Sequence, residues 1–369
     1  MTGVKLNVVR FAAPGKDSFH ETVIDRVKTH FSKRDISPYA NTGMWVKTAV
    51  MLLLYFVPYA FIVSGLTAGS TWLFFGCWFL IAWGMIGIGT SVVHDANHGA
   101  YSPNRKVNDL IGFILEIIGG YTITWKIQHN QLHHTYTNIT GLDEDIDSIK
   151  LLRFSPRQPY YWYHRYQHIY IWFFYMIMTL YWMTVKDFRQ VVRYKQHNLL
   201  ARYNISYGKA LTLLTLYKVL YYTYIIVLPI IFSGFPWYYI IGGFLFAHFI
   251  AGVVLSCIFQ PAHVVEASTF ALPLESEGKR RMEDSWAIHE VENTTNFAPR
   301  NRLLTWFIGG LNYQIEHHLF TGICHVHYPQ LAPIVKSAAE DFGVAYNVEP
   351  TYWQALRGHL KMLKKLGEG

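Results

Sequence analysis

Charged residues are scarce in this chain. They make up 15% of its 369 residues, whereas hydrophobic residues make up 51% and aromatic residues 17%. Because soluble domains carry about 25% charged residues, this composition excludes an ordinary soluble fold. Lysine and arginine still exceed aspartate and glutamate, 32 against 24. The excess favours anionic lipid, an acidic electron carrier or a phosphate-bearing substrate, and we expect no nucleic acid partner.

Cysteine is also scarce, and it forms no paired motif. The three cysteines, Cys77, Cys257 and Cys324, are far apart in sequence, and no CxxC string occurs. This excludes a disulfide framework, a four-cysteine zinc site and an iron–sulfur cluster held by this chain. The first 40 residues lack the apolar core of a cleaved signal peptide. The sequence also lacks a low-complexity tract or a flexible linker, so we expect one membrane domain over residues 1–369.

Long apolar runs dominate the sequence instead. Four of them are long enough to cross a bilayer as helices, and they cover residues 44–65, 71–93, 211–232 and 237–259. The short connections between paired runs contain no lysine or arginine, whereas 94–210 and 260–369 hold most of the positive charge. The positive-inside rule therefore places both long segments, and the polar residues 1–43, in the cytoplasm.

The sequence thus predicts an all-α integral membrane protein. Four transmembrane helices form two hairpins, at 44–93 and 211–259, and the segments 94–210 and 260–369 form a cytoplasmic helical cap. The active site and both termini are expected on the cytoplasmic side of this multi-pass protein.

Two shorter apolar stretches and one lysine need separate interpretation. Residues 168–184 are flanked by basic residues, and we expect an interfacial helix or a helix packed over the spans. Residues 110–124 contain Glu116 and a Gly-Gly pair, and we expect a re-entrant or interfacial segment. Lys218 lies inside the third run, and we expect it to extend toward the cytoplasmic headgroups.

Histidine clusters follow the apolar segments on one predicted face of the membrane. They are His94 and His98; His129, His133 and His134; the lone His263; and His317 and His318. A spacing of four residues puts two imidazoles on one face of a helix. An adjacent histidine lies about 100° around the helix, which suits two metal ions better than one. The clusters therefore predict a transition-metal site.

The number of imidazoles favours iron over zinc. Zinc prefers four ligands and has no redox chemistry, so eight histidines around two zinc ions would leave no open position for catalysis. Two iron ions, each with five or six ligands, leave room for oxygen. Several carboxylates near the clusters are candidates to orient the imidazoles: Asp95, Asp143, Asp145, Asp147, Glu290 and Glu316.

Five strings in the sequence resemble those of the membrane fatty acid desaturases, and most closely the front-end or linoleoyl-CoA desaturase branch. They are HDANH (94–98), HNQLHHTYTN (129–138), FQPAHVVE (259–266), WAIHEVENTTNF (286–297) and QIEHH (314–318). The resemblance implies a di-iron centre, with O2 as co-substrate, and an acyl chain in a tunnel between the helices. The implied ligands are the eight histidines His94, His98, His129, His133, His134, His263, His317 and His318.

The resemblance also bears on Gln314 and His289. Gln314 stands where many desaturases have histidine, which is typical of the front-end branch, and we expect its oxygen to approach iron directly or through water. His289 lies in a matching string away from the standard ligand positions, so a structural or ligand-orienting role is expected. The sequence has no His-Pro-Gly-Gly haem motif. Electrons are therefore expected from a separate ferredoxin or cytochrome b5 type carrier and its reductase.

The implied function is an oxygen-dependent desaturase that introduces a cis double bond into an acyl-CoA or a lipid-bound acyl chain, with front-end regioselectivity. A fatty acyl hydroxylase could use the same ligands. A different class is an intramembrane zinc protease, because His94-Asp95-x-x-His98 resembles a metalloprotease pair. Of the other histidines, His248 is expected to bond to another helix, and His325 and His327 are not expected to bind metal. Trp125 is a candidate wall of the acyl tunnel.

Overall fold

Helices dominate the computed structural model, which describes residues 8–13, 18–147, 149–276 and 279–369. Lys5 and Lys16, part of the basic N-terminal segment, lie outside these residues. In chain order the helices are α1 (Phe19–Arg34), α2 (Thr42–Val63), α3 (Thr71–His98), α4 (Arg105–Ile117), α5 (Thr122–Tyr136), α6 (Trp162–Gln196), α7 (Tyr207–Phe232), α8 (Trp237–His263), α9 (Trp286–Glu292), α10 (Arg302–Phe307), α11 (Gln314–Leu319), α12 (Tyr328–Phe342) and α13 (Tyr352–Leu366). The strands are β1 (Val9–Ala12), β2 (Leu274–Ser276), β3 (Lys279–Ser285), β4 (Asn296–Phe297) and β5 (Val348–Glu349).

Five helices in the described part of the chain are long and apolar enough to cross a membrane: α2, α3, α6, α7 and α8. Four of them match the predicted runs, and α6 is the fifth, so the predicted count of four is not confirmed. Helix α6 packs along α8. The Thr179 hydroxyl donates to the His248 carbonyl at 2.8 Å, and a Cβ at Gly252 would lie 2.4 Å from the Tyr175 carbonyl oxygen. Only glycine permits this close approach of the two backbones.

Helices α4 and α5 form a pair bent by 110°. The bend falls within residues 110–124, where re-entrant or interfacial geometry was predicted. Glu116 closes the bend, because its carboxylate accepts hydrogen bonds from the backbone N–H and the hydroxyl of Thr122, at 3.0 and 2.7 Å.

The structure is mostly helical, as predicted, and two small sheets are present in addition. Strand β1 runs parallel to β3, with Val9 opposite Arg280, and β2 runs antiparallel to β3. Strands β4 and β5 form a second, parallel pair. Strand β1 lies within the polar residues 1–43, for which no strand is predicted. It forms a strand because Val9 is buried against Ile139, Leu142 and Met282, over the loop that follows the second histidine cluster.

Lys218 does not extend toward the headgroups, so that prediction is wrong. Its ammonium lies 2.6 Å from the Asp187 carboxylate and donates to the Gly119 carbonyl at 2.6 Å. Both charged side chains are buried. A charge that finds an opposite charge and a carbonyl inside the protein does not need to reach the interface.

The cap has its own apolar core between α1, α9, α11 and α12. The core residues include Phe19, Val27, Val291, Ile315 and Val335. This packing fixes α11, with the third histidine cluster, beside the ends of α3 and α8.

Candidate metal centre

One π-helical turn precedes the first histidine cluster, and a second π-helical segment contains His129 and His133 of the second cluster. Residues Ile88–Val92 form a π-helical turn just before His94, and Lys126–His133 are π-helical throughout. Such turns are rare and are frequently found at functional sites. They change the rotation per residue of the helix that carries His129 and His133. The two rings stack at a centroid distance of 5.3 Å, and each has a ring nitrogen within 4.8 Å of the other and of an Asp145 oxygen.

The eight predicted histidines lie together in two sets. The first set has ring nitrogens within 4.8 Å of one another and comprises His94, His98, His129 and His317; the second comprises His133, His263 and His318. His134 lies between them, within the same distance of His317 and His318. Seven of the eight side chains are buried, and His98 is half-buried. The adjacent pair His317 and His318 is divided between the sets, as their rotation about the helix predicts.

Five ring nitrogens at the centre are buried without a hydrogen-bond partner among the described residues. They are Nε2 of His98, His317 and His318, and Nδ1 of His134 and His263. A buried polar atom without a partner costs about 1–3 kcal/mol. Burial lowers the pKa of His317 and of His318 well below the ordinary value, and neighbouring imidazoles lower it further. These rings are therefore neutral, with lone pairs available to a metal, so the residues present fit a metal centre.

Carboxylates hold the outer nitrogens of two rings. His133 Nδ1 lies 3.1 Å from both oxygens of Asp143 and 3.4 Å from Asp145. His318 Nδ1 donates to Glu290 at 2.7 Å. Burial raises the pKa of Glu290 well above its ordinary value, and the hydrogen bond from Thr137 opposes this. A proton fixed on Nδ1 leaves Nε2 as the nitrogen that faces a metal.

Gln314 is buried at the start of α11. Its amide nitrogen donates to the Leu311 carbonyl at 2.8 Å, which fixes the side chain and leaves the oxygen available. The side chain also lies within hydrogen-bond reach of His263. Gln314 therefore lies beside His263 of the second histidine set.

A family model described as fatty acid desaturase matches residues 70–350 of this chain. The chain belongs to the fatty acid desaturase family. It is 37% identical to an sn-1 linoleoyl-lipid 6-desaturase of Arthrospira platensis, over 94% of this chain and 92% of the relative. The same enzyme of Synechocystis sp. is 34% identical, over 98% and 99%. An acyl-lipid (8-3)-desaturase of Physcomitrium patens is 34% identical, over 98% of this chain and 74% of the relative.

These similarities confirm the predicted family, the front-end branch and the enzyme class. The desaturase is an oxidoreductase of lipid metabolism, and its family acts on acyl chains in a membrane. Its clustered histidines are compatible with the histidine boxes by which the family binds iron.

Glu316 and His289 are also predicted to orient the histidines. Among the described residues, neither forms a hydrogen bond with any of the eight candidate imidazoles. The Glu316 carboxylate accepts from Asn296 and from the Tyr346 hydroxyl, both at 2.8 Å, and burial raises its pKa to about 7. His289 bonds to the Thr137 carbonyl at 2.8 Å and to Asn293, and burial lowers its pKa to about 4. His289 thus holds the backbone just after the second histidine cluster, and Glu316 holds the start of α11 to the side chains of Asn296 and Tyr346.

Asp95 has a partner that the sequence did not predict. It accepts a hydrogen bond from His325 Nδ1 at 2.8 Å, and its other oxygen lies 3.8 Å from His94 Nδ1. Two further residues touch ligand candidates: the Tyr328 hydroxyl lies 3.3 Å from His317 Nδ1, and the Trp286 indole donates to the His134 carbonyl at 3.0 Å. Their sequence spacing contains no signal for these contacts, because each depends on packing between helices.

Trp125 covers the first histidine set of the desaturase. Its ring centroid lies 4.6 Å from that of His129 and 5.5 to 5.6 Å from those of His98 and His94. This half-buried indole is an apolar wall beside the candidate ligands.

A small cavity lies between α2, α3, α7 and α8. It is lined by Tyr55, Trp78, Ile81, Met85, Tyr221, Ile225, Phe244, Ala247 and His248. His248 bonds to Tyr221 at 2.9 Å and to Thr179 at 3.1 Å, which confirms the predicted bond to another helix. The lining of this cavity is mostly apolar and aromatic.

Proposed function

We propose that this chain is an oxygen-dependent acyl-lipid desaturase that introduces a cis double bond at carbon 6 of a linoleoyl chain. The two sets of buried imidazoles with unpartnered nitrogens are the observation that carries the metal-dependent part of this proposal. The lipid-bound substrate and the bond position rest on the two relatives named sn-1 linoleoyl-lipid 6-desaturase. Acyl-lipid is therefore favoured over acyl-CoA.

Two irons fit the donor set. His94, His98, His129 and His317 would hold the first iron; His133, His263 and His318 would hold the second, with His134 between the two and Gln314 offering an oxygen to the second. When bound, the irons supply, with O2 and two electrons, the oxidising power to remove hydrogen from unactivated methylenes, which no side chain supplies. We propose a separate acidic carrier of the ferredoxin or cytochrome b5 type, with its reductase, as the electron source.

The protein's own residues orient and enclose this centre. Asp143 and Glu290 fix the rings of His133 and His318, so that Nε2 of each ring faces inward. Trp125 covers the first set and excludes water from it. Oδ2 of Asp95 accepts from His325 and Oδ1 faces the outer nitrogen of His94, so this carboxylate is directed at two imidazoles rather than at a water between ligands, as a zinc protease would require.

The direction of the helices supports a cytoplasmic centre. Helices α3 and α8 both end at the centre, at His98 and His263, so they run in the same direction across the membrane. An even number of crossings must separate those two ends. Helices α7 and α8 supply two crossings. Helix α6 therefore either stays on the same side of the membrane as the centre or crosses together with the bent pair α4–α5. With the positive charge of 94–210 and 260–369, the centre and both termini lie in the cytoplasm.

A feeding experiment tests the proposed reaction. The chain is expressed with a suitable carrier in a host that lacks polyunsaturated lipids and is supplied with linoleate. Gas chromatography of total fatty acids is expected to show an 18-carbon triene with a new bond at carbon 6. Membranes supplied in parallel with linoleoyl lipid or linoleoyl-CoA are expected to convert only the lipid.

Two variants complete this experiment. His133→Ala is expected to abolish the product, whereas His168→Ala, at a half-buried histidine of α6, is expected to retain it. A hydroxylated product would contradict desaturation. A new bond elsewhere would contradict the proposed position alone, and conversion of linoleoyl-CoA alone would contradict the proposed substrate class.

A further inference from the structure

A buried lysine connects the first transmembrane helix to the candidate metal centre. Lys47 lies near the start of α2 and is 2% exposed. Its Nζ lies 2.7 Å from Nε2 of His325, a residue of the short 3₁₀ helix His325–His327. The Trp306 ring lies over the same ammonium, at 5.4 Å from its centroid. A charged group is rarely buried in this way unless it has a partner with a function.

The hydrogen bonds in this cluster have one possible direction. A lysine ammonium only donates, so Nε2 of His325 must accept. The proton of the neutral ring is then on Nδ1, which donates to Asp95 Oδ2 at 2.8 Å. The backbone N–H of His325 donates to the same oxygen at 3.1 Å. Two donors of His325 therefore fix one oxygen of Asp95, and the ring donor is itself held by the Lys47 ammonium.

The other oxygen of Asp95 faces the first histidine. Oδ1 lies 3.8 Å from His94 Nδ1, while His94 Nε2 lies 3.1 Å from His129 Nε2 inside the first set. The ring of His94 thus has its outer nitrogen toward Asp95 and its inner nitrogen toward the other ligand candidates. Asp143 and Glu290 occupy the corresponding places at His133 and His318, within hydrogen-bond distance of Nδ1. Just as backbone N–H groups hold Asp143 and Thr137 holds Glu290, His325 holds Asp95, and Lys47 in turn holds His325.

A third metal ion between Asp95, Cys324 and His325 is the alternative, because their ligand atoms lie within 4.8 Å of one another. The hydrogen bonds argue against it. Both ring nitrogens of His325 are already engaged, one by Lys47 and the other by Asp95. A metal would have to displace a buried ammonium from the ring.

We infer that Lys47 and His325 are positioning residues, which hold Asp95 so that it orients His94 for the first of two metal ions. This inference rests on the proposed iron centre and extends it to the first transmembrane helix. The ammonium balances the buried carboxylate, and the imidazole of His325 transmits that constraint to Asp95. Neither residue contacts metal or substrate.

The test compares iron binding in three variants. His325→Leu and Lys47→Met remove one link each, whereas His325→Gln keeps an oxygen that accepts from Lys47 and an amide that donates to Asp95. Loss of a residue that orients a ligand typically lowers metal affinity about 10- to 100-fold. In chelator competition, His325→Leu and Lys47→Met are expected to show this lower affinity at one of the two irons. His325→Gln is expected to bind both irons with nearly wild-type affinity. X-ray absorption should show fewer nitrogen ligands per iron in the first two variants.

Arg153→Met is the matched control, because it also removes a buried cation but one whose guanidinium bonds to the carbonyls of Gln158, Pro156 and Leu366, away from the centre. Melting temperatures of the iron-free proteins separate folding from metal binding. Equal iron loss in Arg153→Met and Lys47→Met at matched iron-free stability would overturn the inference, and so would wild-type affinity at both irons in His325→Leu. If the wild-type protein binds no iron, the proposed function fails and this inference fails with it. If the wild type desaturates and the variants keep both irons, only the inference fails.

Discussion

At the scale of single residues, the hydrogen bond at one ring nitrogen of an imidazole decides whether the other nitrogen can face a metal. Glu290 holds His318 Nδ1 at 2.7 Å, and the Nε2 of the same ring is buried without a partner among the described residues. The carboxylate thereby fixes both the tautomer and the direction of the ring. Thr137 donates to the same carboxylate oxygen at 2.7 Å and prevents Glu290 from rotating away.

Removing Glu290 should therefore weaken the second metal site. We expect Glu290→Ala to lose about 10- to 100-fold in iron affinity at one of two sites. Glu290→Gln should lose less, because its oxygen still accepts from His318. Iron content after dialysis against a graded chelator series measures the effect. Glu283→Ala, an exposed glutamate of β3, is the control and should match wild type; equal retention in Glu290→Ala would show that Glu290 does not orient His318.

The comparison of Glu290 with Glu316 shows where sequence proximity misleads. Glu316 precedes His317 directly, yet it bonds to Asn296 and Tyr346, because adjacent residues of a helix point about 100° apart. Glu290 is 28 residues from His318 in sequence but faces it from α9. Spacing singled out the eight histidines that the fold brings together, because each cluster is local. It could not rank the carboxylates, whose contacts depend on how α9, α11 and β4 pack.

At the scale of elements, one buried ion pair joins three helices behind the centre. Asp187 of α6 accepts from Lys218 of α7, from Thr124 of α5 at 2.7 Å and from the Trp182 indole at 3.2 Å. Thr124 directly precedes Trp125, which covers the first histidine set. The ion pair therefore holds the start of α5 and, through α5, the second histidine cluster.

Removing one charge of this ion pair should lower the stability of the fold more than removing both charges. Lys218→Met leaves the Asp187 charge buried without its counterion, and loss of one partner of a buried pair typically costs about 3–5 kcal/mol. The double variant Lys218→Met with Asp187→Asn removes both charges and retains an acceptor for Thr124. We expect its thermal midpoint in detergent to lie between those of the wild type and Lys218→Met. A double variant less stable than Lys218→Met would contradict this account.

Helices could be predicted from the sequence where a continuous apolar run defines them, whereas elements that depend on distant residues could not. The runs of α2, α3, α7 and α8 predicted four spans because continuous hydrophobicity is a local property. Strand β1 contains four residues and pairs with β3 some 270 positions later, so no local pattern distinguishes it from a tail. The π-helical turns at Ile88–Val92 and Lys126–His133 likewise depend on tertiary packing, and the sequence predicted ordinary helical rotation there.

At the scale of the whole molecule, the last helix closes the structure over the end of α8. His359 of α13 donates from Nδ1 to the Val264 carbonyl at 2.8 Å, directly after His263. Its Nε2 accepts from the Tyr175 hydroxyl of α6 at 2.6 Å. One neutral imidazole thus ties α13 to both α6 and α8. Protonation would abolish the role of Nε2 as an acceptor and would bury a charge. Burial accordingly lowers the pKa of His359 to about 4, although the hydrogen bond to Val264 acts in the opposite direction.

This lowered pKa predicts how stability depends on pH. Between about pH 6.5 and pH 4 the unfolded chain binds a proton at residue 359 and the folded chain does not, so the free energy of unfolding falls as pH falls. The contribution is complete above pH 6.5, and at about 1.4 kcal/mol per pH unit some 3 kcal/mol is lost by about pH 4. His359→Gln removes the titrating group. In iron-free protein, thermal midpoints at pH 7.5 and pH 5 should therefore differ less in His359→Gln than in the wild type, and His168→Ala should match the wild type. Equal pH dependence in wild type and His359→Gln would show that His359 does not couple protonation to the closure of α13 over α8.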